Sequence, residues 1–373
     1  MSAVPSMHNT TGAKAIPVGP SPLPSGPIGG PAAWKGPEID TPERKREWVY
    51  EFSPEDLAEL DSAVRAHFAA GREMGDITPQ TFKLPSLSTR LEGLLNGVQH
   101  GMGFSMLRGF PITRYSTAES AVAYLGIGAH FGRFRSQNAK GHLLGHVCDL
   151  GLDIKKPTTR YYQTNRELEY HTDSCDIVAL LCLKTSKSGG ESRLVSSITL
   201  HDEMYRRRPD LWRLLFNAFP TDRRGEVPPG MLPWFELPVF NWHAGELSTI
   251  FSGQYIRSAQ DNFPEARRLS AAEHEALDYL DTLSNDPELN ITIEFRPGDM
   301  QFVHNHQILH SRTDFEDWPE REKRRHLLRL WLAPREAREL PPAYSQRYGS
   351  IEPGNRGGII TKETTLTFVL EPQ

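Results

Sequence analysis

The triplet His171-Thr172-Asp173, answered far downstream by His310, constrains this chain of 373 residues more than any other feature. In an extended strand successive side chains take opposite faces, so residues i and i+2 look the same way. His171 and Asp173 can therefore aim an imidazole nitrogen and a carboxylate oxygen at one point, with Thr172 facing elsewhere. For His310 to join them, the fold must bring two distant stretches together. A double-sheet jelly roll does this, because strands from both halves of the chain line one mouth.

Two imidazoles and one carboxylate on one side of a metal leave three positions open, the facial arrangement of non-haem iron(II) oxygenases. A zinc hydrolase with a metal-bound water could use the same donors, and a non-catalytic jelly-roll binding protein could retain such a pocket. Cys175 stands near enough to be a further candidate ligand. His304 and His306 would share a face with His310 if their strand were unbroken. Short polar triplets recur by chance, so the remaining parts of such a site decide what the triplet means.

Those parts stand in order: Gly189-Gly190-Glu191-Ser192, His310-Ser311-Arg312 and Arg325-His326-Leu327-Leu328-Arg329. With the triplet, over residues 100 to 332, the chain resembles the taurine/2,4-D dioxygenase-like (TauD/TfdA) family of iron(II)- and 2-oxoglutarate-dependent oxygenases. Ser192 stands where that family usually has threonine, keeping the hydroxyl and losing a methyl. The gap from His310 to Arg325 is slightly long, which a loop insertion at Phe315–Glu322 would explain.

The resemblance implies a double-stranded β-helix (jelly-roll, clavaminate synthase-like) core, mainly β with flanking helices. It makes His171, Asp173 and His310 the iron ligands, with 2-oxoglutarate as cosubstrate and O2 as oxidant. His304 then replaces a family asparagine and suits a hydrogen-bonding role. The C5 carboxylate of 2-oxoglutarate needs a fixed cation, and the planar guanidinium of Arg325 can grip it with two parallel hydrogen bonds. Ser192 adds a hydroxyl donor, while Arg324 faces the other way. Arg329 falls where sulfonate- and carboxylate-oxidising members contact an anionic substrate, with a structural ion pair as the rival role. The implied reaction oxidises a C–H bond of a small organic molecule, anionic or amino-acid-like, with release of succinate and carbon dioxide. Hydroxylation is the default, and desaturation or ring closure are variants.

Composition sets the outer limits. The 42 basic and 47 acidic residues give a net charge of −5, the wrong sign for an electrostatic nucleic-acid partner. No apolar run approaches the roughly 20 residues of a membrane span, and the N-terminus lacks a secretory pattern. Three cysteines, Cys148, Cys175 and Cys182, fit no disulfide framework. These features favour a reduced, cytoplasmic protein, and they leave room for a homo-oligomer.

Residues 1–36 are rich in Pro, Gly, Ser and Ala and are expected to form a flexible arm, with docking across a partner subunit as the alternative. Residues 37–373 read as one domain with its jelly-roll core near 100–335. Helices are expected from Ser53, Ser116 and Ser270, each with an acid at the capping-box position, and from Thr199. Strands are expected at Phe104–Leu107, Ile177–Leu183, Ser192–Ser196, Leu247–Ile256, Ile291–Phe295, Met300–Val303 and Leu327–Leu332. On the strand assigned to 247–256, Phe251, Gly253, Tyr255 and Arg257 would share one face. Tyr255 and Asn165, which follows Thr164 just before the triplet, are candidate substrate contacts. Residues 221–241 read as a long irregular loop suited to a lid.

Overall fold

Alternating side chains build the two sheets that hold the site. In the computed structural model, which describes residues 18–153 and 159–372, the strand His326–Ala333 turns Leu328, Leu330 and Leu332 toward one apolar cluster and Leu327 toward another. Such period-two sorting is what a strand buried on both faces requires. The larger sheet runs in the order Val49–Glu51, Phe104–Arg108, Met300–His304, Ile177–Lys184 and His326–Ala333, with two short strands beside the last. The smaller sheet runs Ile291–Ile293, Ser192–Ser196, Ile308–Arg312 and Leu168–His171, all antiparallel.

The sheets face each other across Phe104, Cys182, Leu194, Ile293, Val303 and Leu327. Helices cover both outer faces. Pro54–Ala69, Leu87–His100 and Thr117–Phe131 set Leu60, Leu91 and Leu125 against Leu181, Phe302 and Leu328. Ser197–Arg207 and Ala271–Ser284 set Leu200, Met204 and Leu277 against Val195 and Leu309. This is the expected jelly roll with flanking helices. The capping boxes at Ser53, Ser116 and Ser270 form as their sequences direct.

Three expectations change. The strand assigned to 247–256 stops at Thr249, and a helix, Gly253–Asn262, follows. Its buried Gly253, Ile256 and Ala259 recur every third residue, a helical spacing that the aromatic content of the segment masks. The supposed 221–241 loop is irregular only over 223–233: Trp234–Pro238 pairs antiparallel with Ala218–Asp222, and Phe240–His243 pairs with Glu246–Thr249. Pro220 and Pro238 both lie in the first of these two-stranded pairs and are tolerated because each strand there has a free edge that needs no donor.

The third change concerns the N-terminal arm. Residues 1–17 lie outside the described residues, but 18–36 are fastened to the jelly roll. The Ile28 and Gly29 amides donate to the Asp202 carboxylate at 2.7 and 2.9 Å. The Trp34 indole donates to the Met102 carbonyl at 2.7 Å, and Thr199 Oγ1 donates to the Trp34 carbonyl at 2.6 Å. Composition misses this because side chains elsewhere satisfy the segment's backbone and a few buried residues, Pro24, Ala32 and Trp34 among them, anchor it.

Candidate active site between the two sheets

His171 ends its strand directly opposite His310 in the register of the smaller sheet, with ring centroids 4.3 Å apart. Asp173 lies two residues beyond the strand end. Its Oδ1 is 3.7 Å from His171 Nε2, and its Oδ2 is 3.9 Å from His310 Nε2. One ligand atom from each of the three lies within 4.8 Å of the others, which would let them share one metal ion. Thr172 points away, exchanging hydrogen bonds with the backbone of Phe251.

Other residues fix this trio. His171 Nδ1 lies 2.9 Å from the Glu169 carbonyl, so that nitrogen carries the proton and Nε2 presents its lone pair. The Asp173 amide donates to Asn305 Oδ1 at 2.8 Å, and Asn305 Nδ2 donates back to the Asp173 carbonyl at 2.7 Å. Trp331 Nε1 and Arg329 Nη1 hold Asp173 Oδ2 at 2.8 and 3.3 Å. Burial pushes the Asp173 carboxyl up, but Arg329, the two histidines and Trp331 outweigh it and hold the group below the ordinary carboxylate range. Burial, reinforced by His171, pushes His310 down to about 3. Both groups thus stand in the forms a cation binds.

The expected common face of His304, His306 and His310 does not form. The strand Met300–His304 ends there, and a turn at 305–307 carries the chain into the other sheet. His306 Nε2 instead meets Asp176 Oδ1 at 2.9 Å, and His304 Nδ1 is buried without a hydrogen-bond partner among the described residues. The hydrogen bond expected of His304 is therefore absent at that atom. Cys175 is fully enclosed, its Sγ donates to the Ile177 carbonyl at 3.4 Å, and it does not fall within the ligand cluster formed by His171, Asp173 and His310.

A cavity on one side of the trio is lined by Ser192, Arg312, Arg325 and Arg329. Arg325 is 5 % exposed, has no ion pair among the described residues, and leaves Nη1 without a partner. Its Nη2 reaches only the Gly190 carbonyl, at 3.3 Å. Burial pushes its pKa down to about 10, so it remains charged at neutral pH. Ser192 Oγ donates to Gln301 at 3.2 Å. Arg324, in the irregular segment before the strand His326–Ala333, faces outward and donates to the Trp318 and Pro319 carbonyls.

Arg312, which received no role from the sequence, lies two residues after His310 on the same strand and so shares its inward face. It donates to the Thr164 and Arg166 carbonyls, and its guanidinium lies 4.7 Å from the centre of the Phe315 ring. Arg325 approaches the same ring at 5.2 Å. Burial and the neighbouring Arg325 push Arg312 down to about 9. Two buried cations in one cavity, with an orphaned donor, fit a compact dicarboxylate such as 2-oxoglutarate.

A second cavity opens on the other side and shares His171, Asp173 and Arg329 with the first. Tyr161, Tyr162, Glu226, Arg160, Tyr255 and Arg347 line it. Tyr255 reaches it from the helix Gly253–Asn262 rather than from a strand, and its hydroxyl accepts from Arg160 at 3.2 Å. Asn165 is exposed and lies outside this lining, because its segment turns toward the surface.

Residues 68–331 match the family described as "Taurine catabolism dioxygenase TauD, TfdA family". FR-33289 synthase of Streptomyces rubellomurinus is 30% identical over 329 residues, covering 87% of this chain and 95% of its own. The chain belongs to the TauD, TfdA dioxygenase family. Taurine hydroxylase-like protein SAT17 of Stachybotrys chartarum is also 30% identical, over 86% of this chain and 84% of its own. Among solved structures, an asparagine oxygenase in complex with Fe(II), a hydroxyasparagine and succinate shares the fold, with a TM-score of 0.60 and 15% identity over 76% of this chain and 93% of that one. The non-haem iron oxygenase OrfP with Fe and α-ketoglutaric acid gives 0.59 and 15% over the same shares.

This TauD-family protein is an iron(II)- and 2-oxoglutarate-dependent dioxygenase acting on a small molecule, and that membership displaces the hydrolase and non-catalytic alternatives. No helix among its described residues is long and apolar enough to cross a membrane.

Proposed function

We propose that His171, Asp173 and His310 hold the iron, that Arg325 with Ser192 and Arg312 holds 2-oxoglutarate, and that the second cavity receives an anionic or amino-acid-like substrate. The observation that carries this reading is the orphaned Nη1 of buried Arg325, in the cavity that also contains all three candidate ligands. An unpaired guanidinium is costly to bury, and a carboxylate arriving there offsets that cost.

Iron(II) with 2-oxoglutarate and dioxygen supplies the oxidising power, with succinate and carbon dioxide as coproducts. The chain's own residues supply placement. Glu169 and Asn305 keep one imidazole and one carboxylate aimed inward. Arg329, at the boundary of both cavities, neutralises Asp173 and has an Nη atom free of hydrogen bonds among the described residues. That atom is available to a substrate anion. Tyr255 and Arg160 form one wall, with Arg160 tied to Glu226 at 2.6 Å. Amino-acid ligands in the asparagine oxygenase and OrfP structures support a substrate of that size. Three buried free cysteines are consistent with a reducing, cytoplasmic setting.

Anaerobic titration of the iron-loaded protein with 2-oxoglutarate tests the assignment. A metal-to-ligand charge-transfer band should grow and saturate. In Arg325→Ala the same band should require much more 2-oxoglutarate. An unshifted titration in that variant would remove Arg325 from the cosubstrate site.

A further inference from the structure

One arginine of the second cavity is left without an acid partner. Four acids line it: Glu169, Asp173, Asp222 and Glu226. Each already has an arginine. Glu169 lies 3.7 Å from Arg257, Asp173 3.3 Å from Arg329, Asp222 3.7 Å from Arg224 and Glu226 2.6 Å from Arg160. Arg347 lines the same cavity and forms no ion pair among the described residues.

Its surroundings hold it ready for a ligand. Nε donates to Ser174 Oγ at 2.6 Å, and Ser174 directly follows the candidate ligand Asp173. The guanidinium lies against the Phe235 ring, 5.5 Å from its centroid. Neither Nη atom makes a hydrogen bond among the described residues. A guanidinium fixed at Nε and supported on its face presents its two Nη atoms as a fork suited to an oxyanion. Arg347 lies beyond the residues matched to the family, 68–331, so the family pattern assigns it nothing.

We propose that Arg347 binds a compact oxyanion group of the primary substrate, a carboxylate, sulfonate or phosphonate, and thereby orients it beside the metal trio. The inference deepens the reading of this cavity as the substrate site and rests on it. Arg347 lines that cavity alone, whereas Arg325 lines the cosubstrate cavity, so the two arginines serve different anions.

The experiment uses the iron-loaded full chain saturated with 2-oxoglutarate, without oxygen. Acetate, methanesulfonate and methylphosphonate are the probes, and neutral acetamide is the control. The readouts are the shift of the charge-transfer band and, for methylphosphonate, paramagnetic broadening of its phosphorus resonance. At least one anion should give a saturable response that acetamide does not, and the tightest of the three identifies the oxyanion class. Arg347→Met should raise the half-saturating concentration about tenfold to a hundredfold, with an unchanged 2-oxoglutarate titration. Arg347→Lys, which keeps the charge and loses the fork, should fall between, and it carries the test if the methionine variant does not fold. Wild-type affinity for the anion in both variants, an equal response to acetamide, or no saturable response to any anion would overturn the proposal. Failure of the underlying assignment would look different: the wild-type band itself would not form with 2-oxoglutarate.

Discussion

The two cavities that meet at His171, Asp173 and His310 are built from different material. The cosubstrate side rests on strands. Ser192, His310 and Arg312 sit in one sheet, Arg329 sits in the other, and Arg325 immediately precedes that second strand. The directions of the four strand residues, Ser192, His310, Arg312 and Arg329, follow from register, because a one-residue slip would turn each of them outward. The substrate side shares Leu168–His171, Arg329 and Trp331 with those sheets, but the rest of its wall comes from a two-stranded ribbon (Thr221, Asp222, Phe235 and Leu237) and from irregular pieces: residues 160–162, Glu226, the turn into Gly253–Asn262, and the four-residue helix Ser345–Tyr348. A rigid half suits a cosubstrate shared by a family, and an irregular half lets specificity change without disturbing it.

The largest test of that division is His310→Ala. It should abolish stoichiometric iron binding, measured by metal analysis after anaerobic reconstitution, while the fold persists. Full iron retention would mean that the strand register does not place the metal, and the contrast between the two halves would collapse. Next comes Arg325→Ala. Losing a charge-assisted fork should raise the 2-oxoglutarate concentration at half-saturation about 100-fold, with a much smaller effect on iron affinity. Equal losses in both would show that Arg325 supports the sheet rather than the cosubstrate. Asn305→Ala is smaller again. The residue touches no proposed ligand position directly but clamps the Asp173 backbone, so iron affinity should drop about tenfold and Asn305→Asp should recover little of it. Unaltered iron affinity in Asn305→Ala would leave Arg329 and Trp331 as sufficient supports for that carboxylate.

The same division explains what could be read from the sequence. Period-two alternation identifies the strands of the sandwich and the capping boxes its flanking helices, and motif order brings forward the proposed metal trio. Arg312 was within reach, since i+2 from His310 on a strand gives the same face. Arg347 was not. Nothing in Ser345–Tyr348 announces that a four-residue helix returns to Ser174, because that contact depends on the path of the C-terminal segment. Tyr255 was selected by a strand argument and lines the cavity from a helix, so the reason for selecting it does not hold. Asn165 failed because proximity in sequence to the triplet says nothing about which way a turn faces.

The smallest prediction asks whether Arg325, just before the strand His326–Ala333, is aimed independently of the strand's first residue. His326 directly follows Arg325 but pairs outside the cavity with His146, Nε2 to Nδ1 at 2.8 Å, and His146 Nε2 meets the Val369 carbonyl at 2.9 Å. The chain of bonds needs His146 neutral, because it donates to the carbonyl through Nε2 and accepts from His326 through Nδ1. Burial, with His146 and Lys184 beside it, pushes His326 down to about 4. A folded-state pKa below the unfolded value of about 6.5 means that the unfolded chain binds the proton first. Its contribution to stability is therefore complete above about pH 6.5 and is lost as pH falls through about 4. Urea midpoints measured between pH 7.5 and 4.5 should fall more steeply for the wild type than for His326→Gln, while 2-oxoglutarate affinity at neutral pH should be the same in both. An identical pH slope would remove His326 from the acid response. A weakened 2-oxoglutarate titration in His326→Gln would show that the outer face of the strand does help to aim Arg325.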